Sequence, residues 1–83
     1  MGVYWNGKEI VLTKKEADIL ILLTSDPNSI FSREIILQKV WKDESYVLER
    51  TVDVHIARLR KKIGVYGECI VNRSGYGYSF NIK

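Results

Sequence analysis

The sequence predicts an α+β fold in which a β-hairpin, three helices and a second β-hairpin follow one another. Three observations carry that order. Asn6-Gly7 separates two β-prone runs near the start, three stretches of helical apolar periodicity fill the middle, and strict alternation returns at the end. With 83 residues the chain is expected to fold as one domain spanning 1–83.

The first hairpin is read from "VYWNGKEIVL", where Asn-Gly suits a two-residue turn needing positive φ at both positions. A helix should begin after Thr13, an N-cap whose partner Glu16 completes a capping box, with Leu12 placed for a staple contact. Ala17, Ile19, Leu20, Ile21, Leu22 and Leu23 cover so much of its surface that it should be largely buried. "SDPN" (25–28) ends it, because Pro27 cannot continue a helix. Ser32 caps a second helix whose seam is Ile36, Leu37, Val40 and Trp41. "KDESYV" (42–47) reads as a polar connection.

The third helix is "ERTVDVHIARLRKKI" (49–63). At about 100° per residue, Val52, Ile56, Leu59 and Ile63 fall on one stripe and form its core face. Arg50, Val54, Ala57, Arg58 and Lys61 lie opposite, with Thr51 and Lys62 on a flank. Arg60 sits beside the stripe, where Asp53 is a possible partner; Arg50 is another within reach of Asp53. Gly64 is a natural stop. The closing hairpin pairs "ECIVN" with "YGYSFNIK" about a turn at "RSGY", and Tyr76, Tyr78, Phe80 and Ile82 should line one buried face.

Charge divides unevenly along the chain. Residues 1–49 carry six Lys/Arg against eight Asp/Glu, and residues 50–83 carry seven against two, giving −2 and +5 within the net +3. A charged outer face is the default for any surface helix. The asymmetry, and the hairpin placed directly after the basic helix, favour a polyanion as the partner of that face. Two helices joined by a short connection, the second basic, followed by a β-hairpin describe a winged helix-turn-helix. Arg50 and Arg58 can donate paired hydrogen bonds to guanine or phosphate, the exposed Val54 suits a thymine methyl, and Thr51 near the helix start suits a phosphate.

The segments "LTKKEADILILL" (12–23), "FSREIILQKVW" (31–41), "ERTVDVHIARLRKKI" (49–63) and "GYGYSF" (75–80) resemble, in order and over nearly the whole chain, the C-terminal effector domains of OmpR/PhoB-type response regulators. The resemblance implies a cytoplasmic, sequence-specific binder of duplex promoter DNA in a two-component system with phosphorelay signalling. Helix 49–63 would enter the major groove and a wing at about 69–82 would lie near the minor groove. It implies phosphate contacts from Arg50 and Thr51, and contacts from Val54, His55 and Arg58 to bases or the adjacent backbone. Lys61, Lys62, Arg73, Ser74 and Tyr76 complete the expected DNA-binding set. It also implies tandem binding on direct repeats and contact with RNA polymerase through the 41–48 loop. An upstream receiver domain, absent from this sequence, would be served by a histidine kinase. Two positions depart from the pattern. Ala57 stands where a second Arg is frequent, and Ser74 aligns with the usual wing arginine, leaving Arg73 one position early, where an offset in a strand reverses the side chain's direction.

Other chemistries find little support. The one His and one Cys are far apart in sequence, too few for a zinc site or a catalytic pair, and no cofactor or enzymatic activity is expected. His55 reads as a polar residue bordering the core stripe. "SGYGY" lacks the Lys-Ser/Thr of a phosphate loop and reads as a tight turn. Cys69 is alone, which fits a reducing compartment. No apolar run approaches membrane-spanning length, and "MGVYWNGKEI" lacks a secretory h-region. A different class of reading makes the winged helix a protein-interaction module whose basic face meets an acidic partner.

Overall fold

The computed structural model describes residues 2–5, 8–42, 44 and 46–82. Strands β1 (Gly2–Trp5) and β2 (Lys8–Val11) pair antiparallel, with Trp5 opposite Lys8. The Asn6-Gly7 turn expected between them lies outside the described residues, as do Asp43 and Ser45 of the polar connection. Helices α1 (Lys14–Ser25), α2 (Arg33–Val40) and α3 (Glu49–Lys62) follow, then a 3₁₀ segment (Gly64–Cys69), and then strands β3 (Ile70–Arg73) and β4 (Gly77–Phe80).

The local signals act as their chemistry requires. Thr13 accepts from the Glu16 amide, and Glu16 accepts from the Thr13 amide at 2.8 Å, which completes the capping box. Ser32 accepts from the Ile35 amide at the start of α2. Asn28 adopts φ +70°, a conformation that Asn tolerates, and its side-chain oxygen accepts from the Ile82 amide at 3.0 Å. Gly64 ends α3 with φ +61°.

The core lies where the three helices and the closing hairpin meet. Val52, Ile56, Leu59 and Ile63 are all buried there, as the stripe predicts, against Ile19 and Leu23 of α1, Ile36 of α2, and Ile70 and Phe80 of the hairpin. Burying each such side chain contributes about 1.5–3 kcal/mol.

Three expectations are corrected. Helix α1 is not wrapped on all sides: Ile19 and Leu23 are buried, but Ile21 is 59% exposed, because α1 packs on the core along one side only. Strand β3 begins at Ile70 rather than Glu68. The preceding residues coil into the 3₁₀ segment, where Gly67 lies so close to α3 that a Cβ would stand 2.4 Å from the Arg60 carbonyl oxygen. Strand β4 is buried on both faces, while Tyr76 and Ile82, expected on its covered side, are exposed.

Tyr76 and Ile82 lie outside the strand, and a third chain segment pairs along its second edge. The Phe31 amide donates to the Tyr78 carbonyl at 2.8 Å, the Tyr78 amide donates back at 2.9 Å, and the Asn28 amide donates to Phe80 at 2.8 Å. β4 therefore runs between β3 and the 28–31 segment. Gly77 permits this approach. It has φ +136°, and a Cβ there would lie 2.0 Å from the Phe31 carbonyl oxygen. At the hairpin tip the Tyr76 amide bonds the Arg73 carbonyl at 2.8 Å, and Gly75 takes φ +82° with open space around it. Gly77→Ala should cost about 2–4 kcal/mol, from strain plus clash, and Gly75→Ala about 1–2 kcal/mol, from strain alone. Urea unfolding of both variants checks the order.

Candidate nucleic-acid interface

α3 rises about 21 Å over its 14 residues. The stripe that buries Val52, Ile56 and Leu59 leaves Arg50, Val54, Ala57, Arg58 and Lys61 exposed on the opposite side. Val54 is 46% exposed, so an apolar side chain stands in solvent among cations. Arg50, Arg58 and Lys61 have no intramolecular ion pair among the described residues. At the N-terminus of α3, Leu48 offers no side-chain acceptor, so the first amides keep their positive end free of a cap.

His55 and Thr51 lie on the flank and are half-buried. His55 Nδ1 donates to the Thr51 carbonyl at 2.8 Å, and the ring meets Trp41 edge-on at 5.1 Å. Trp41 is buried and belongs to the core, as expected. Lys15 of α1 also reaches it: Nζ lies 5.4 Å from the ring centroid, donates to the Val40 carbonyl at 3.0 Å and pairs with Glu44 at 2.9 Å.

Two assignments made from the helical wheel change. Asp53 pairs with neither Arg50 nor Arg60. Its Oδ1 accepts from Arg33 Nε of α2 at 2.9 Å and from the Tyr78 hydroxyl of β4 at 2.5 Å. Asp53 thus joins α2, α3 and the hairpin through one carboxylate. Burial raises the Tyr78 pKa, and the neighbouring Asp53 acceptor raises it further, so the phenol remains a donor throughout the neutral range. Arg60 instead donates to the Gly67 carbonyl at 3.2 Å, fastening α3 to the 3₁₀ segment.

Lys62, expected at the interface, turns inward. Its ammonium lies 2.6 Å from Glu16 Oε1, on a carboxylate that is almost wholly covered. Burial acts to raise the Glu16 pKa. The Lys62 hydrogen bond and the Thr13 amide together outweigh it and hold the carboxyl below its ordinary range. A wheel drawn for α3 alone does not contain a partner 46 residues away.

Arg73, the last residue of β3, is exposed opposite Gly77, and Ser74 and Tyr76 are exposed at the turn. A notch lined by Ser32, Arg33, Glu34, Glu49, Gly75 and Tyr76 brings the starts of α2 and α3 against this turn. Arg33 is the residue the sequence reading left out. A cation at the first position of a helix opposes the helix dipole, and that signal calls for a nearby anion, here Asp53. Among the described residues, no group of three or more His, Cys, Asp or Glu side chains could hold a metal, and no helix is long and apolar enough to cross a membrane.

Comparison with known proteins agrees with this geometry. A family profile described as "Transcriptional regulatory protein, C terminal" matches residues 7–80. The chain is 44% identical over 81 residues to the uncharacterized transcriptional regulatory protein YclJ of Bacillus subtilis, covering 95% of this chain and 36% of that protein. It is 43% identical over 82 residues to the transcriptional regulatory protein SrrA of Staphylococcus aureus, covering 94% and 34%. The chain therefore spans about a third of the length of the curated relatives it matches. Its fold is similar to that of the response regulator AdeR DNA-binding domain, solved in complex with an intercistronic region. That match has a TM-score of 0.85 and 31% identity, and covers 99% of this chain and 86% of that one.

The interior ties set what their variants should do. Lys62→Ala leaves the covered Glu16 carboxylate with the Thr13 amide but without its counter-charge and should cost about 1–2 kcal/mol, a figure reduced because Lys62 keeps 37% exposure. Because the folded Glu16 pKa is depressed, its contribution is present above the unfolded value of roughly 4.3 and is lost as pH falls through the folded one. Glu16→Gln should flatten that acid limb in a pH series of urea melts. Asp53→Ala strips the partners from Arg33 and Tyr78 and should cost about 1–3 kcal/mol, with Tyr78→Phe costing about 1–2 kcal/mol, by the same measurement.

Proposed function

This chain belongs to the family of C-terminal domains of transcriptional regulatory proteins, and from that premise we propose that it binds duplex promoter DNA sequence-specifically as the effector part of a two-component response regulator. The observation that carries this reading is the outer face of α3. It presents Arg50, Val54, Arg58 and Lys61 to solvent beside an exposed hairpin tip, its cations without an ion pair among the described residues. A helix of this width fits a major groove about 12 Å wide.

In that arrangement Arg58 donates to a base edge, guanine being the acceptor its fork fits best, and Val54 packs on a thymine methyl. Arg50, Thr51 and the uncapped amides of α3 hold a phosphate, with Lys61 on the backbone further along. His55 is fixed by Trp41 and the Thr51 carbonyl, so it contacts the backbone without rearrangement. Arg73 serves as the wing cation at the minor groove, with Ser74 and Tyr76 beside it. Lys62 is left out of the contact set because Glu16 holds it.

The remaining partners are part of the same proposal. Tyr46, 98% exposed, and the exposed Leu48 give the 41–48 loop the apolar surface for contact with RNA polymerase. Two copies bind in tandem on repeated half-sites, and a receiver domain addressed by a histidine kinase lies upstream. The setting is the cytoplasm, and no catalytic role is assigned. An interaction module using the basic face for an acidic protein is disfavoured by the family match over residues 7–80 and by the likeness to a DNA-binding domain solved in complex with an intercistronic region.

Binding to a promoter duplex selected from a random pool should weaken with salt, with a log–log slope near −0.9 per phosphate neutralised. Arg58→Ala should cost about 1–3 kcal/mol and relax discrimination at one base pair, while Lys61→Ala should weaken all sequences alike. Unchanged isotherms for both variants would remove α3 from the groove.

A further inference from the structure

A second cationic surface lies away from the outer face of α3, between α1 and the C-terminal end of α2. Its walls carry Lys14, Lys15, Lys39 and Lys42, with Asp18 the one acid lining it among the described residues and Glu44 paired to Lys15 at its edge. The first 49 residues are net negative, yet four of their six Lys/Arg stand in this groove.

Local needs account for only part of that. Lys14 pairs with Asp18 at 3.1 Å, an exposed i,i+4 contact of small worth. Lys15 is consumed by the Val40 carbonyl, Glu44 and the Trp41 ring. Because Lys15 already satisfies the last carbonyl of α2, capping that end does not require Lys39 and Lys42 as well. Both are exposed and without an ion pair among the described residues. Across the groove, α1 presents Ile21, its exposed aliphatic, with Leu22 half-buried beside it.

We propose that the α1–α2 groove docks an acidic amphipathic helix of a partner protein. Its apolar row packs on Ile21 and Leu22 while flanking carboxylates meet Lys39 and Lys42. A DNA backbone would answer the lysines but has no apolar row to cover Ile21. The position agrees. The notch that joins α2 to the hairpin and the start of α3 is at the N-terminal end of α2, and this groove is at the other end. The inference does not rest on the DNA-reading face, since no residue of α3 lines the groove, although Lys42 also belongs to the 41–48 loop.

The test is fluorescence anisotropy with the whole 83-residue chain and a labelled helical peptide carrying Leu at i, i+3/i+4, i+7 and Glu on both flanks. The control is a scrambled peptide of the same composition. Saturable binding of the amphipathic peptide is expected, with the scrambled peptide much weaker. Lys39→Glu/Lys42→Glu should weaken it about tenfold or more, and Ile21→Ser about threefold. Both changes are on exposed side chains, and circular dichroism verifies that the variants fold. Affinity for a promoter duplex should stay within about twofold for Ile21→Ser, and for the charge-reversed pair it should fall by less than the affinity for the peptide does. Equal binding of the scrambled peptide, indifference to the two variants, or displacement of the peptide by the duplex would each overturn the proposal.

Discussion

Four side chains that never meet solvent decide what the exposed side of α3 can do. Val52, Ile56, Leu59 and Ile63 seat the helix in the core, and a helix seated along one stripe must present the opposite stripe outward. Apolar burial is non-directional, however, and by itself would tolerate some roll of the helix. The polar ties on its flanks supply direction. Asp53 reaches Arg33 of α2 and Tyr78 of β4, Lys62 reaches Glu16 of α1, and Arg60 reaches the Gly67 carbonyl. Each tie runs to a different part of the fold, so rotation in either sense breaks hydrogen bonds to charged groups.

These ties divide the cations by role. Arg33, Arg60 and Lys62 are used in holding the helix. Arg50, Arg58 and Lys61 remain exposed, with no ion pair among the described residues. Net charge does not distinguish the two groups, and neither does position along the helix, since Arg60, Lys61 and Lys62 are consecutive. At about 100° per residue, three neighbouring side chains point to three different surroundings.

The hairpin is set by a comparable constraint. Because β4 lies between β3 and residues 28–31, its placement relative to the start of α2 is fixed by main-chain hydrogen bonds rather than by side-chain packing alone. Gly77 is what permits the close approach to Phe31. The tip bearing Arg73, Ser74 and Tyr76 is thus carried on a strand anchored at both edges, at a defined position beside the start of α3.

Much of this was legible in the chain. The Thr13 and Ser32 caps, the stripe of α3, the stop at Gly64 and the outward Val54 are local properties, readable because each depends on neighbours within about four residues. The exposure of Ile21, the 3₁₀ segment over 64–69 and the covered outer face of β4 were not readable, since each depends on which distant segment arrives. Asp53 shows the division most clearly. Its spacing offered Arg50 and Arg60, yet Arg33 and Tyr78, 20 and 25 residues away, hold it. The sequence by itself determined the order of elements and which side of α3 would be oily, because periodicity encodes burial. Only the tertiary structure decided which cations were left unpaired, because a salt bridge is chosen by proximity in space, and folding sets that proximity.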